Sequence, residues 1–534
     1  MAIDLTQYVP WDLGSYSTDP ERADYASAEY QEMAPRWQLV ADLRTGTPAI
    51  RAKNAYYLPR FEYETDTDYA ARILMTFAED HYATTLVEHV GLVFAIPPKV
   101  EKDVPARILP LLEDIDGEGN HVEVFAETAL DAALHWGHAV LWTDYPVPKG
   151  LKWKSDERRL KARPYVTLYG APDVLTARYV TVGGVRCLVE IKFRGWTTVP
   201  DGAFGTVTKE RFRIVRQAVI SDPETGKVTG LGAVTWELWA KTGEDFALED
   251  EGEIIGPNRI CARVIMGGER LGAMHSKPHL IGLAYSNTEE TQVKSDNAAV
   301  MHKTNVPTPV FIGRMKPPPG SAETIQMGQG IDLPIGGDAK MLEPSGAALG
   351  ATRLRLEDLR DQMRRQGATM DEGAGAAKTA AEARLLAAQR NAKLVKAARS
   401  LQDALEGMLE DIAAFLKLPE GGSISVNRDF AGEGLDPAYL AVLVSAYNSP
   451  ERALSLEALM YALKTGHLPE DFSAEEEALR LVAQEMARED EEAAEAKAQA
   501  EADAKALALA QASGGVKPGT PKPGVVPAEL AEAA

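Results

Sequence analysis

Residues 380–417, AAEARLLAAQRNAKLVKAARSLQDALEGMLEDIAAFLK, carry the strongest helical pattern of the chain. Their large apolar residues recur at spacings of seven, four and three: Leu394, Leu401, Leu405, Met408, Ile412 and Phe415. These spacings place side chains on one face of an α-helix. At 1.5 Å per residue we expect a continuous helix of about 55 Å, which is longer than a small domain is wide.

The residues before this helix predict a second helix, an insert and a third helix. Residues 282–304 predict a helix that is polar nearly all round, which usually bridges solvent or packs against neighbouring chains. Prolines at Val306–Pro309 prevent it from continuing. Residues 306–345 predict short strands at Pro309–Gly313 and Ile331–Ile335, separated by turns.

A basic amphipathic pattern follows at residues 346–368. Its apolar residues predict a helix, and its arginines predict a cationic face that pairs with acidic neighbours across subunits or faces DNA. Those arginines are Arg353, Arg355, Arg360, Arg364 and Arg365. Residues 369–379 contain small residues and two glycines, which favour a mobile loop.

The remainder of the chain predicts an α+β, multidomain and mostly helical protein. Residues 1–150 predict helices, including Tyr63–Val93 and Val122–Trp142. Residues Tyr165–Ile265 change to β-branched and aromatic runs between Gly, Pro and Asp turns, which predicts an antiparallel β unit with a hairpin around Ser221–Gly226. A short strand at Ser423–Asn427 precedes further helices.

The bulk composition narrows the classes of protein. With 534 residues, the chain is long enough for three or four compact units. A net charge of −22 argues against a surface that grips nucleic acid throughout, although it is compatible with a wall past which DNA slides. Cys187 and Cys261 are too few for a disulfide framework or a cysteine zinc site. Without an apolar span or a signal peptide, we expect a cytoplasmic protein with no membrane contact.

Motifs for catalysis are weak. Gly373–Thr379 superficially resembles a phosphate-binding loop, but Ala377 stands where the glycine before the lysine belongs. His135 with His138, on a predicted helix, and His275 with His279 have spacings that suit metal ligands. We favour ordinary surface or interior histidines, because no glutamate lies between them in the pattern of a metalloprotease. We therefore expect no enzymatic activity, no cofactor and no bound metal.

The order of elements resembles the portal, or head-to-tail connector, proteins of tailed bacteriophages over roughly Tyr56–Leu481. Local sequences are similar too: Tyr56–Pro59, Tyr69–Arg72, Val90–Phe94 and the helix-loop-helix of Ala347–Leu416. The resemblance implies a portal-like arrangement of a wing, a stem, a clip and a crown with a long central helix. Its parts would be the wing at 1–281, a stem helix at 282–304, the clip at 305–345, a second stem helix at 346–369, the tunnel loop at 370–379, the long helix and wing return at 380–433, a helical crown at 434–512 and a disordered tail at 513–534.

The resemblance also implies a function and its sites. Twelve subunits would form a ring at one capsid vertex of the virion, after assembly in the host cytoplasm, and double-stranded DNA would pass through it during packaging and ejection. Partners would be the terminase large subunit, a head-tail adaptor and the major capsid or scaffolding protein. The tunnel-loop residues facing DNA would be Met370, Asp371, Glu372 and Lys378. The clip residues docking terminase or adaptor would be Phe311, Arg314 and Lys316.

Two alternatives remain open from the sequence. One is a different phage head or connector protein, such as a minor head or adaptor protein, although adaptors are usually much shorter. The other is a nucleic-acid-processing enzyme, such as a nuclease or motor subunit, which would require metal- or ATP-dependent activity.

Overall fold

The computed structural model describes residues 16–62, 64–145, 162–225, 227–243, 245–304, 308–312, 336–342, 347–367, 380–428, 430 and 497–505. The chain divides into two compact units, Met1–Ala431 and Gly432–Ala534. In the second unit, residues 497–505 are helical and the rest of the predicted crown, like the predicted tail, lies outside the described residues. Of the described residues, 43% are helical and 29% are in strands. This confirms an α+β protein, with more strand than the predicted mostly helical protein.

The elements of the first unit alternate between helical and β segments. Its helices are α1 Ala28–Thr45, α2 Thr47–Ala52, α3 Asn54–Tyr57, α4 Asp66–Met75, α5 His81–Val93, α6 Leu109–Leu112, α7 Val122–Trp136, α8 Ile281–Thr304, α9 Ala347–Arg365 and α10 Ala380–Leu416. Its strands are β1 Lys99–Val100, β2 His138–Asp144, β3 Tyr165–Gly170, β4 Val174–Val182, β5 Val185–Asp201, β6 Gly205–Ser221, β7 Val228–Thr242, β8 Asp245–Glu253, β9 Ala262–Met266, β10 Glu269–Arg270, β11 Ser276–Lys277, β12 Thr308–Ile312, β13 Asp338–Leu342 and β14 Ile424–Ser425.

The predicted long helix is confirmed as α10, which is 37 residues long. Its residues Leu394, Leu401, Leu405, Met408 and Ile412 are fully buried. They join a main core built from α1, α5, α7, β2 and β9. The predicted strand near Ser423 is also confirmed, because β14 pairs with β1 through Lys99↔Ser425.

The antiparallel β unit predicted for Tyr165–Ile265 is confirmed, but it forms two sheets. Strands β4 to β8 follow one another in a five-stranded antiparallel sheet, with the predicted hairpin between β6 and β7. Strands β3, β2 and β9 form a second sheet with β2 in the centre. Strand β2 is almost wholly buried. It joins the helical core to the β unit because its side chains pack alternately into the two cores.

Two of the predicted helices are wrong in extent. The stretch Tyr63–Val93 is broken between α4 and α5, where the hydroxyl of Thr76 bonds to the carbonyl of Arg72 and the backbone becomes extended. The stretch Val122–Trp142 ends as a helix at Trp136, because Gly137 takes a left-handed φ of 96°. The apolar residues that follow are strand β2, since a fully buried strand has no alternation to distinguish it from a helix.

Candidate functional site

Helices α8 and α9 form an antiparallel pair, called here the helix pair. Ser286 donates to Gln366 at 3.0 Å and accepts from Gln362 at 3.2 Å, while further along Arg360 lies 3.3 Å from Glu290. Residue numbers thus rise along one helix as they fall along the other. This confirms the two predicted helices on either side of the insert.

Strands β12 and β13 pair within the insert that connects the two helices. They are antiparallel, from Thr308↔Leu342 to Ile312↔Asp338. The predicted strand at Pro309–Gly313 is therefore confirmed in its main part, whereas the one at Ile331–Ile335 lies outside the described residues. The described elements from α8 to α10 follow the order helix, two-stranded ladder, helix and 37-residue helix.

Helix α8 packs its polar residues inside its own chain. Those that are buried are Ser286, Asn287, Glu290, Thr291 and Ser295. The sequence had suggested that such a polar helix packs against neighbouring chains, and for this face that interpretation is wrong. The polarity serves an internal hydrogen-bond network, because a buried polar group is tolerated when it is paired.

Asn287 and Ser295 connect α8 to the helices beneath it. The side-chain oxygen of Asn287 accepts from the backbone N–H of Tyr82 at 3.1 Å, and its amide donates to the carbonyl of Glu79 at 3.0 Å. Asn287 therefore fixes the start of α5. Two turns further along α8, the hydroxyl of Ser295 lies 2.8 Å from that of Thr76.

A buried ion pair lies under the same part of α8. The guanidinium of Arg72 donates twice to the carboxylate of Glu64, from Nε to Oε1 and from Nη2 to Oε2, each at 2.9 Å. It also donates to the carbonyl of Pro59 and stacks over the ring of Phe61, 4.3 Å from the ring centroid. Both charged side chains are almost fully buried. This pair positions α4 against the helix pair.

A second charged group, called here the Glu79–His81–Glu290 cluster, lies where α5 begins. His81 Nε2 is 2.8 Å from Glu79 Oε2 and 3.1 Å from Glu290 Oε2. Lys294 contacts Oε1 of Glu79 and lies 2.8 Å from Oε1 of Glu290. Burial raises the pKa of Glu290, but its contacts with His81 and Lys294 outweigh burial and bring the pKa to about 2. Glu290 is therefore a buried carboxylate anion.

The opposite face of α8 is exposed. Tyr285 is 55% exposed and Val300 44%, and Glu289 and Asp296 lie between them on the same face of the helix. Spacings of four, seven and four along a helix keep these side chains in one stripe. These four residues are called here the exposed stripe. Its two acidic members also contact the same chain, Glu289 through Arg355 and Asp296 through Arg72, which lies 3.6 Å away.

The predicted cationic face of α9 is largely neutralised within the chain. Arg355 pairs with Glu289, and Arg360 with Glu290, both on α8. Along α9 itself, Arg353 pairs with Glu357 at 3.0 Å and Arg364 with Asp361 at 2.7 Å. These four pairs lie within one chain, so they are neither of the two roles left open by the sequence, which were pairing across subunits and facing DNA.

Most of the predicted site residues lie outside the described residues. This holds for the tunnel-loop residues Met370, Asp371, Glu372 and Lys378, for the clip residues Arg314 and Lys316, and for Gly373–Thr379. Phe311 is described in its backbone, in β12 opposite Ala339. The tunnel-loop and clip assignments remain predictions.

The histidines of the two predicted pairs make separate contacts within the chain. His135 lies in the last turn of α7 and His138 begins β2, so the two do not share a helix as predicted; one ring contacts Tyr82 and the other Ser276, each at 3.0 Å. His279, half-buried, lies 3.1 Å from the carbonyl of Gly267, and His275 lies 3.5 Å from Glu32. Among the described residues, three potential metal ligands converge instead at Glu79, His81 and Glu290. The sequence did not reveal this cluster, because Glu290 is more than 200 residues from the other two.

Within the part of the chain that the structure covers, no helix combines the length and the apolar character needed to cross a membrane.

Comparisons with known proteins give limited matches. A family described as "Domain of unknown function (DUF4055)" matches residues 279–416, which span the helix pair and α10. No curated protein matches the chain. Among solved structures, a chain in "Virion of native gene transfer agent (GTA) particle" is 12% identical with a TM-score of 0.37, over 77% of this chain and 95% of the other. A chain in "Neck of empty GTA particle computed with C6 symmetry" gives the same identity, TM-score and coverage of this chain, with 96% of its own length. These values are too low to assign a fold or function.

Proposed function

We propose that this chain is the portal-type subunit of a phage-like particle, which assembles into a ring around a passage for double-stranded DNA. The observation that carries the proposal is the order of elements: two antiparallel helices joined through a two-stranded ladder, then a 37-residue helix anchored in the core. This is the order that led to the portal resemblance. The helix pair would be the stem, β12 and β13 part of the clip, and α10 the long central helix.

The exposed stripe of α8 is the surface through which subunits would meet. Tyr285 and Val300 are large apolar side chains that α8 exposes, and tyrosine is enriched in protein interfaces. The opposite face is already used inside the chain. A ring would cover the stripe on every subunit with its neighbour.

In this function the protein does no bond chemistry. A net charge of −22 suits a passage whose wall holds DNA weakly, because tight binding to phosphates requires Lys and Arg that neutralise them. Terminase would supply the work of packaging and would dock at the clip, which an adaptor would occupy afterwards. The ring would sit at one vertex of the capsid, in contact with capsid or scaffolding protein.

Negative-stain electron microscopy of the purified chain, with native mass measurement, tests the proposal. We expect rings of about twelve subunits with a central hole wide enough for duplex DNA. A monomer or small oligomer at high protein concentration contradicts the proposal.

Two substitutions test the interface itself. Tyr285→Arg and Val300→Asp, both in the exposed stripe, should abolish rings while far-UV circular dichroism shows an unchanged fold. Val185→Asp, at a similarly exposed apolar residue beside the turn between β4 and β5, is the control and should leave ring mass unchanged. Rings that survive both stripe substitutions would exclude the stripe as the interface.

A further inference from the structure

The Glu79–His81–Glu290 cluster brings three metal-ligating atoms to one point. The atoms are His81 Nε2 and one Oε2 from each glutamate, and all three lie within 4.8 Å of one another. His81 Nε2 is the centre of the group, 2.8 Å from one oxygen and 3.1 Å from the other. They come from the start of α5 and from the middle of α8.

Two of these atoms are buried without a hydrogen bond. His81 Nε2 and Glu290 Oε2 are inaccessible to solvent, and neither has a hydrogen-bond partner although they face each other. Glu290 as a residue is only 1% exposed. A buried polar atom without a hydrogen bond costs about 1–3 kcal/mol. These two atoms therefore require either a proton on His81 Nε2 or a ligand that both can bind.

The surrounding cations contact the other carboxylate oxygen of each glutamate, so they do not occupy the two Oε2 atoms. Lys294 contacts the Oε1 atoms of both glutamates, and Arg360 lies 3.3 Å from Oε1 of Glu290. Each Oε2 atom is thereby turned toward His81. Such outer partners orient the ligands of metal sites in proteins.

We propose that Glu79, His81 and Glu290 bind a divalent transition-metal ion, for which Zn²⁺ is the best chemical fit. Imidazole nitrogen and carboxylate oxygen are both zinc ligands, at about 2.0–2.2 Å. Ligand atoms around tetrahedral zinc are then roughly 3.4 Å apart, so His81 Nε2 must move away from Glu79 Oε2 by about 0.6 Å and from Glu290 Oε2 by about 0.3 Å. Glu79 is partly exposed and provides both this adjustment and the entry path. Three protein ligands leave a fourth position for water.

The ion would join the beginning of α5 to α8. It would thus fasten the helix pair to the body of the first unit, beside the contacts of Asn287 with Tyr82 and Glu79. The competing occupant is a proton on His81 Nε2, which would also face both oxygens. The metal ion and the proton can be distinguished, because only a bound metal ion makes the thermal stability of the chain depend on the Zn²⁺ concentration. The inference does not rest on ring formation.

Zinc titration of the full chain, freed of metal with a chelator and then dialysed, tests the proposal. Isothermal titration calorimetry should show one Zn²⁺ bound per chain, and the thermal midpoint should rise with Zn²⁺ concentration because the ion binds the folded state. His81→Ala should abolish this site. His121→Asn is the matched control: His121 is an exposed histidine, and asparagine preserves its role as N-cap of α7.

Glu79→Gln provides a second variant that leaves the contacts of Glu290 with Lys294 and Arg360 in place. It should weaken Zn²⁺ binding by at least about tenfold without lowering the thermal midpoint of the metal-free protein greatly. The proposal is overturned if the chain binds no Zn²⁺, or if His81→Ala and Glu79→Gln bind it as the natural sequence does. In the first case, protonated His81 alone accounts for the cluster. In the second case, adventitious surface histidines account for the bound Zn²⁺.

Discussion

Arg263 on β9 and Asp411 on α10 form a two-point ion pair. Nε of Arg263 lies 2.7 Å from Oδ2 of Asp411, and Nη2 lies 2.7 Å from Oδ1. Arg259 contacts the same carboxylate at 2.7 Å. Asp411 is fully buried, whereas both arginines reach solvent. The long helix is thereby fixed in register against the three-stranded sheet.

Asp411→Asn should destabilise the first unit by about 1–3 kcal/mol, the range for losing hydrogen bonds to a charged group. The substitution removes the charge that two arginines share, and because both arginines reach solvent, neither is left as a buried unpaired charge. Urea unfolding followed by tryptophan fluorescence measures it. Glu410→Gln is the control, since Glu410 is exposed and lies 3.6 Å from Arg263; it should change stability by less than about 1 kcal/mol. Equal effects of the two would contradict the role of Asp411.

Glu64→Gln should also cost about 3–5 kcal/mol, because it leaves the guanidinium of Arg72 buried without its carboxylate. Hydrogen exchange should in addition show faster exchange in α4 and α8. Asp66→Asn removes the exposed partner of Arg60, 2.6 Å away, and is expected to be nearly neutral. If exchange in α8 stays unchanged in Glu64→Gln, the pair does not hold the helix pair in place.

Gly137→Ala should destabilise the protein more than Gly183→Ala. Both glycines have a left-handed φ, which costs about 1–2 kcal/mol for alanine. At Gly137 the new Cβ would also lie 2.7 Å from the backbone of Lys277, whereas Gly183 has open space around it. We expect a total of about 2–5 kcal/mol at Gly137, measured by urea unfolding. Similar losses of stability at the two positions would show that the backbone of Lys277 moves away from the new Cβ at position 137 at no measurable cost.

Stability should fall as the pH drops below about 6.5. Burial lowers the pKa of His135 and of His279 to about 3 and that of His138 to about 4, with smaller contributions from Arg44, His89 and His275 respectively. The unfolded chain binds protons at these histidines from about pH 6.5 downward while the folded chain does not, so folding free energy is lost until the folded pKa values are reached. Each histidine contributes at most about 1.4 kcal/mol per pH unit.

Thermal midpoints between pH 4.5 and 7.5 measure this slope, with His138→Gln reducing it. Because the ring nitrogen of His138 contacts Ser276 at 3.0 Å, glutamine keeps a polar partner there. A midpoint that is flat across this range would show that the buried histidines are protonated in the folded state.

Deleting residues 372–377, or replacing Lys378 by alanine, should spare rings and impair DNA packaging or retention. This prediction rests on the proposed function, in which these residues belong to the loop that touches DNA. Native mass measurement reports whether rings form, and the amount of nuclease-protected DNA in particles reports packaging and retention. Loss of the ring itself would count against the assignment of this loop.

The sequence predicted those elements whose pattern is local. Helix α10 repeats Leu and Met at helical spacing, and β6 and β7 alternate around turn residues, so no distant contact was needed to foresee them. The end of α7 was missed because Gly137 interrupts an apolar run that continues as a buried strand. The burial of Asn287 and Glu290 was missed because a polar residue gives no sign of an internal partner. Asn287 contacts Glu79 and Tyr82, and Glu290 contacts His81, all of them about 200 residues away.

The main core has a consequence for synthesis of the chain. It includes Leu39, near one end of the first unit, and Phe430, near the other. The strand pair Lys99↔Ser425 likewise joins residues that are separated by most of that length of chain. A ribosome adding 5–20 residues per second needs roughly 20 to 80 s to travel from the first to the last of these residues. During that interval α1, α5 and α7 have emerged without the apolar stripe of α10 to cover them. Nascent chains are therefore expected to depend on a chaperone until α10 leaves the exit tunnel.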